Sequence, residues 1–279
     1  MKNEKSTMLI EQCSLSNWHW LLLLLIGFGG SLTRPATAQT AAVVGPGTST
    51  PYSSRLYPDS ITNGIMAHWR LEETGVSGRT DATGQGRSLT ASTSIPNAAG
   101  KLNNAVDLNG IGGVYLNATS DQFMFGDTSF TVAGWVWFDA LTASAPVFWH
   151  GGVGHFSYFM DHNGTVLKFS VSLNGSSVAA SATSTVTLAT STWYFFRCWH
   201  DAATDQIGIQ INTETEVVTA HSGGTFTTVA SHGFYLGERI DTGDDLDGRI
   251  DSVSIWRRHL PGNYHTALYN SGLGLDYPF

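Results

Sequence analysis

The sequence predicts an all-β sandwich of antiparallel strands in two packed sheets, and three observations carry that reading. In SFTVAGWVWFD, from Ser129 to Asp139, Phe130, Val132, Val136 and Phe138 form one apolar face with Gly134 as a gap among them, and Thr131, Ala133, Trp135 and Trp137 form the other. Such period-two alternation of β-branched and aromatic residues marks a strand, and two largely apolar faces mark one covered on both sides. Roughly a dozen short runs of this kind recur at turn-punctuated spacing. No strand–helix–strand alternation interrupts them, and one short helix near the C-terminus completes the set.

Residues 1–38 read as a secretory signal peptide. The apolar core Trp20–Phe28 (WLLLLLIGF) is preceded by Lys2 and Lys5 and followed by the A-x-A signal Ala36-Thr37-Ala38. That core is short for a bilayer span of about 20 residues. The expectation is an exported protein, secreted or held at the cell surface, with no transmembrane segment after cleavage. Residues 39–63 read as a flexible arm, because Gln39–Ser60 is dominated by Thr, Ser, Ala, Pro and Gly and offers no core. The folded domain is expected over 64–279.

Removing residues 1–38 takes away three basic and two acidic side chains and leaves 11 Lys/Arg against 20 Asp/Glu, a net charge of −9. That balance excludes a general nucleic-acid surface and suits an acidic protein holding a divalent cation. Cys13 falls in the removed segment, so Cys198, inside YFFRCWH, has no disulfide partner and reads as a small buried hydrophobe.

Along the domain, IMAHWRLEE alternates Ala67, Trp69 and Leu71 inward against His68 and Arg70. A loop rich in Gly, Thr and Asp follows (TGVSGRTDATGQGRSLT), and NAVDLNGIGGVYL supplies two short strands. After the central strand come APVFWHGG and a meander in which Asn163-Gly164 and Asn174-Gly175 mark hairpin turns. STWYFFRCWHD is a heavy strand, and DQIGIQIN shows a clean Ile207, Ile209, Ile211 face. TEVVTA, FYLGER and DGRIDSVSIWRRHL follow; then Pro261 opens the helix, Tyr264, Ala267 and Leu268 form its apolar stripe, and Gly272 fits its stop. On strict alternation Asp251 shares a face with Val253 and Ile255. A carboxylate there needs either backbone N–H donors from a turn or a cation such as calcium.

Four blocks, in order, resemble the laminin-G-like, concanavalin A-like domains: MAHWRLEETGVSGRTDATGQGRSLT (66–90), GKLNNAVDLNG (100–110), SFTVAGWVWFD (129–139) and DGRIDSVSIWRRHLPGNYHTALYNSG (247–272). The resemblance covers about Gly64 to Phe279 and implies a two-sheet antiparallel jelly-roll sandwich with one short C-terminal helix, but no particular activity. It also implies a structural calcium. The matching loop positions are Asp81, Thr83, Gly84, Gln85 and Gly86, with Gln85 where the family has Asn, and the matching strand position is Asp251. Glu72 is an additional candidate ligand, and so is the Asp241, Asp244, Asp245, Asp247 run, whose plainer reading is a solvated loop. Calcium takes six to eight hard oxygens, which a Gly-rich loop supplies from its carbonyls.

Catalysis on this scaffold would need paired carboxylates about 5–5.5 Å apart for a retaining glycosidase. The Glu residues after the signal are Glu72, Glu73, Glu214, Glu216 and Glu238, and none shows the Glu-x-Asp-x-x-Glu spacing of such enzymes. Glu214 and Glu216 share a strand face without an Asp between or beside them. His150, His155 and His162 with Tyr158 come nearest to a lyase array, but no Arg block stands with them, and no third ligand completes a zinc site. The expectation is therefore a non-catalytic binding or adhesion module for a glycan or cell-surface polymer. Trp135 and Trp137, joined by Trp149 and Trp199, would form its stacking platform if that face is open; loops covering the face is the other reading. A structural or self-assembling coat protein, with oligomerisation, is the main alternative, and a polysaccharide-degrading glycosidase or lyase the second. Asn117, Asn163 and Asn174 open N-glycosylation sequons, which matter only in a eukaryotic source.

Overall fold

The computed structural model describes residues 60–279 except 76–77, 119–120, 142–143, 228–231 and 241. The expected signal peptide, the arm up to residue 59 and Asp241 lie outside the described residues. In chain order the elements are β1 (Ile65–Trp69), β2 (Thr90–Ala91), β3 (Asn97–Ala99), β4 (Asn104–Asn109), β5 (Leu116–Ala118), β6 (Phe130–Phe138), β7 (Ala145–Gly152), β8 (His155–His162), β9 (Leu167–Val171) and β10 (Ala180–Thr183). There follow β11 (Trp193–Asp201), β12 (Gln206–Ile211), β13 (Val217–Ala220), β14 (Gly233–Leu236), β15 (Glu238–Arg239), β16 (Asp244–Asp245), β17 (Asp247–Trp256) and the helix α1 (Gly262–Tyr269).

Two antiparallel sheets form the sandwich. The first runs β13-β12-β11-β6-β17-β4-β3, with β1 also paired to β17; the second runs β10-β9-β8-β7-β14-β5-β2. β6, the strand expected at the centre, lies between β11 and β17. Its Phe130, Val132, Val136 and Phe138 face inward and meet Phe148, Tyr158, Phe169 and Phe234 of the second sheet. The gap at Gly134 is needed because a Cβ there would fall 2.9 Å from Val253 Cγ2 and 3.2 Å from Phe196 Cζ. Both Asn-Gly turns join antiparallel neighbours, β8 to β9 and β9 to β10. The Asn163 side chain closes the first by accepting the N–H groups of Thr165 and Val166, each at 3.1 Å.

Three details differ from the sequence reading. Residues 60–63, assigned above to the arm, already pack: Ile61 is buried, and Trp256 Nε1 donates to its carbonyl at 2.7 Å. The helix stops at Asn270, in the left-handed region at φ 47°, two residues before Gly272. The third is a β-bulge. The register of β17 against β6 shifts between Asp251 and Ser254, with Ser252 at φ 50°. An inserted residue reverses the inside–outside parity. Ile250, Val253 and Ile255 therefore point into the core, while Asp251 stands opposite Trp135 on the outer face.

Candidate functional site

Cross-strand partners share a face, so the register lays out the outer surface of the first sheet in rows. One row reads Asp107, Arg249, Trp137, Trp193; the next reads Asp251, Trp135, Phe195. Two more carry Ser254, Ala133, Arg197, Gln210 and then Trp256, Thr131, Trp199, Gly208. The last three rows are covered. α1 and the C-terminal tail bury Trp135, Phe195 and Trp256 beneath Tyr264, Leu268, Tyr269 and Leu275.

This settles the four expected platform tryptophans differently. Trp135 is 2% exposed, held between Phe195 and Tyr269 with ring centroids at 5.1 and 5.7 Å. Trp199 is equally buried: His259 stacks on it at 4.1 Å, its Nε1 donates to Glu216 Oε1 at 2.6 Å, and its indole fills the space a Gly208 side chain would take. Trp149 belongs to the other sheet, in a separate buried cluster with Phe156, Phe159 and Tyr235. The joint platform is corrected accordingly. Trp137 alone of the four is half-exposed.

The open row nevertheless has the make-up of a binding surface. Trp137 and the half-buried Trp193 stand 5.7 Å apart at 55°. The Arg249 guanidinium lies 5.2 Å from the Trp137 ring, and its Nε is 3.6 Å from Asp107 Oδ1 and 4.0 Å from Asp139 Oδ2. Trp137 Nε1 donates to Asp139 Oδ1 at 2.9 Å. Burial lifts the Asp107 carboxyl above its usual range, against the pull of Arg249. Indole faces beside hydroxyl-binding carboxylates and a cation can stack a sugar ring and hydrogen-bond its edge. Trp193 was missed in the sequence, because only the β11–β6 register sets it beside Trp137.

The expected calcium ligands have separate partners. Asp81 Oδ1 accepts from His68 N at 3.2 Å, Thr83 N at 3.0 Å and the Thr83 hydroxyl at 2.6 Å, and Oδ2 accepts from Arg87 N at 3.1 Å. Both oxygens are thus occupied by donors around the loop itself, and Trp69 of β1, which pairs with Val253 of β17, is bridged to Asp81 on its other side. Among the described residues no hydrogen bond links Thr83 or Gly86 to β17, and the bonds of Thr83 stay within its own loop. Asp251 is fully buried; Leu102 N–H donates to Oδ2 at 2.7 Å, and Oδ1 meets no partner. Burial pushes its pKa up to about 8 despite the backbone N–H groups of Leu102, Lys101 and Ser252, and the nearby Glu72 charge adds to the rise. Glu72 Oε2 accepts from Asn104 N at 3.0 Å in the same loop. Glu72 Oε1 in turn accepts from Asn103 Nδ2 at 3.4 Å, so of these three carboxylates Asp251 alone keeps an oxygen without a hydrogen-bond partner among the described residues. No group of three or more His, Cys, Asp or Glu positioned for a metal occurs among the described residues.

The residues weighed for catalysis have structural partners. Glu216 binds Arg197 and Trp199, while Glu214 caps Thr185 N at 2.9 Å. His150 is fully buried and stacked on Tyr158 at 4.8 Å. Among the described residues, no helix is long and apolar enough to cross a membrane.

Comparison with known proteins agrees with this architecture. No curated protein matches the sequence. The binding domain of Paraclostridial Mosquitocidal Protein 1 superposes with a TM-score of 0.59 at 13% identity, over 76% of this chain and 53% of that one. The binding domain of botulinum neurotoxin DC, solved in complex with SialylT, gives 0.59 at 14%, over 78% and 53%. Domain 4 of AbnA, a GH43 extracellular arabinanase from Geobacillus stearothermophilus in complex with arabinotriose, gives 0.55 at 20%, over 76% and 98%. At these identities the likeness is one of fold, and the chain spans about half the length of the toxin domains. Residues 110–263, more than half of the sequence and including β6, β11 and β17, match the Laminin_G_3 family model, and the chain belongs to the concanavalin A-like lectin/glucanases superfamily.

Proposed function

We propose that this chain is a non-catalytic glycan-binding module of an exported or surface protein, and that Trp137, Trp193, Arg249, Asp107 and Asp139 receive the sugar. The observation that carries the reading is the open row itself, since neighbouring aromatics on that face are sealed under α1 and the tail while Trp137 and Trp193 keep half-exposed rings. The oligosaccharide complexes of similarly folded domains support it, as does the structural use of Glu214 and Glu216.

Glycan-array screening followed by calorimetry tests the proposal. Trp137→Ala is expected to weaken binding about tenfold, because stacking contributes about 0.5–1.5 kcal/mol on top of the apolar area buried against the ring. Trp137→Phe should retain most of it, and Trp193→Ala should weaken it in parallel. Binding that survives both alanine variants, or cleavage of a bound polysaccharide, would overturn the reading.

A structural calcium belongs to the same proposal, held at Asp251 and Glu72 with peptide carbonyls of the adjoining loop. Its support is the buried, unpartnered Oδ1 of Asp251. Chelation should lower the melting temperature by several degrees, as mass action requires of an ion that binds only the folded state. Asp251→Asn should abolish that sensitivity; a chelation effect unchanged in this variant would place the ion elsewhere.

A further inference from the structure

Outside both sheets, β15 and β16 form a two-stranded ribbon in which Glu238 pairs directly with Asp245. Directly opposed side chains lie about 4.5–5.5 Å apart at Cβ, and like charges so placed repel. Glu238 is only 7% exposed, yet its Oε2 meets no hydrogen-bond partner, and neither does the buried Oδ1 of Asp245. The N–H of Gly113 is bonded to the Glu238 carboxylate. The loop that supplies it passes close to Asp245 as well, since a Cβ on Gly112 would fall 3.4 Å from Asp245 Oδ2. Gly110 and Gly113, at φ 65° and 85°, let this loop fold over the pair.

Two cross-strand carboxylates, each with one buried oxygen that meets no hydrogen-bond partner, amount to an anionic cradle. Its ligands are hard oxygens, with no imidazole or thiolate among them, which selects calcium over zinc or copper. Peptide carbonyls and water complete such a shell readily. We propose that Glu238 and Asp245 bind a calcium ion that pins the β15–β16 ribbon to the Gly110–Gly113 loop. This site is independent of the one at Asp251 and of the glycan reading. Burial, then the opposing Asp245 charge, raises the Glu238 carboxyl above its usual range, and burial followed by Asp244 raises Asp245. Both shifts are what a cation at this point would reverse.

Calcium titration of the full chain by calorimetry tests the site. The expected result is an ion bound with a dissociation constant of about 10⁻⁴–10⁻³ M, the range of extracellular calcium modules. Glu238→Gln and Asp245→Asn should each weaken it at least tenfold, and Asp251→Asn should leave it in place. Stoichiometry and affinity unchanged in both ribbon variants would overturn the proposal, as would a folded protein that takes up no calcium because the two carboxyls share a proton. Should a ribbon variant fail to fold, crystals of the unmutated chain soaked in calcium decide the matter. An ion between Glu238 and Asp245 supports the site, and a bare pair removes it.

Discussion

Lowering the pH from 7 to 5 is expected to cost this fold about 3–5 kcal/mol, a large part of the roughly 5–15 kcal/mol that holds a domain together. The groups responsible are His68, His150, His162 and His265, each no more than 2% exposed. Burial lowers their pKa values to about 4, 3, 4 and 4. An unfolded histidine titrates near 6.5, so on acidification the unfolded chain takes up protons that the folded one refuses. Their contribution is complete above pH 6.5 and is lost as the pH falls from there towards 4, at up to about 1.4 kcal/mol per unit for each group. Over the 1.5 units down to pH 5 the four together lose about 8 kcal/mol.

In the calcium-free protein Asp251 acts in the opposite sense. With its pKa raised to about 8 it is protonated in the fold where the unfolded chain is ionised, and it returns about 2.7 kcal/mol between pH 7 and 5. Asp107, Asp161, Glu238 and Asp245, also raised by burial, add smaller offsets. Thermal melts at the two pH values should differ by about 10 °C or more. His150→Phe, placed in the ring stack against Tyr158 and His232, should remove part of the difference. A melting temperature that is flat across this interval would show that the imidazoles are not held neutral.

Replacing Glu216 by alanine is expected to destabilise the protein by about 2–3 kcal/mol, at or just below the range for breaking a buried ion pair, because Arg197 is fully buried while the Glu216 side chain is 29% exposed. Arg197 is fully buried on the outer face, with its guanidinium bonded to the Leu260 carbonyl, to Gln210 Oε1 at 3.0 Å and to Glu216 Oε1. The carboxylate also accepts the indole N–H of Trp199. Without it a guanidinium is left in the sheet with neutral acceptors only, and an indole donor loses its partner. Glu216→Ala combined with Arg197→Met should recover much of the loss, because the stranded charge goes with the arginine. Urea denaturation of the two variants checks this. A single alanine variant within 0.5 kcal/mol of the unmutated protein would mean that water replaces the carboxylate at no cost.

What the sequence disclosed follows from what each feature depends on. Strand positions and the inward face of β6 rest on period-two alternation, a local property, and they appear in the structure as read. The facing of Asp251 rests on the same rule and was misread, because the bulge at Ser252 inserts a residue that no composition signal marks. Exposure is a third kind of property. Trp135 and Trp137 are equivalent in the strand pattern, and only the placement of α1, more than 100 residues later, buries one and leaves the other open. Trp149 was grouped with them because no local signal tells which sheet a strand joins. The Glu238–Asp245 opposition depends on the register of a ribbon only two residues long on each side.

The position of β17 has a consequence for how the polypeptide is made. This strand comes last in the sheet-forming sequence yet lies between β6 and β4 and also carries β1, whose Ile65 pairs with Trp256. A ribosome that has completed β6 and β4 has produced two strands with no direct hydrogen bonds to each other, and their shared neighbour has yet to be translated. The first sheet cannot close until Trp256 has cleared the exit tunnel, so its assembly waits on some 190 residues of nascent chain. Pairing across such separations is slow to nucleate, because the loop-closure entropy is spent before the contacts form. Until β17 is made, the β6 flank and the β4 flank of this sheet remain unjoined.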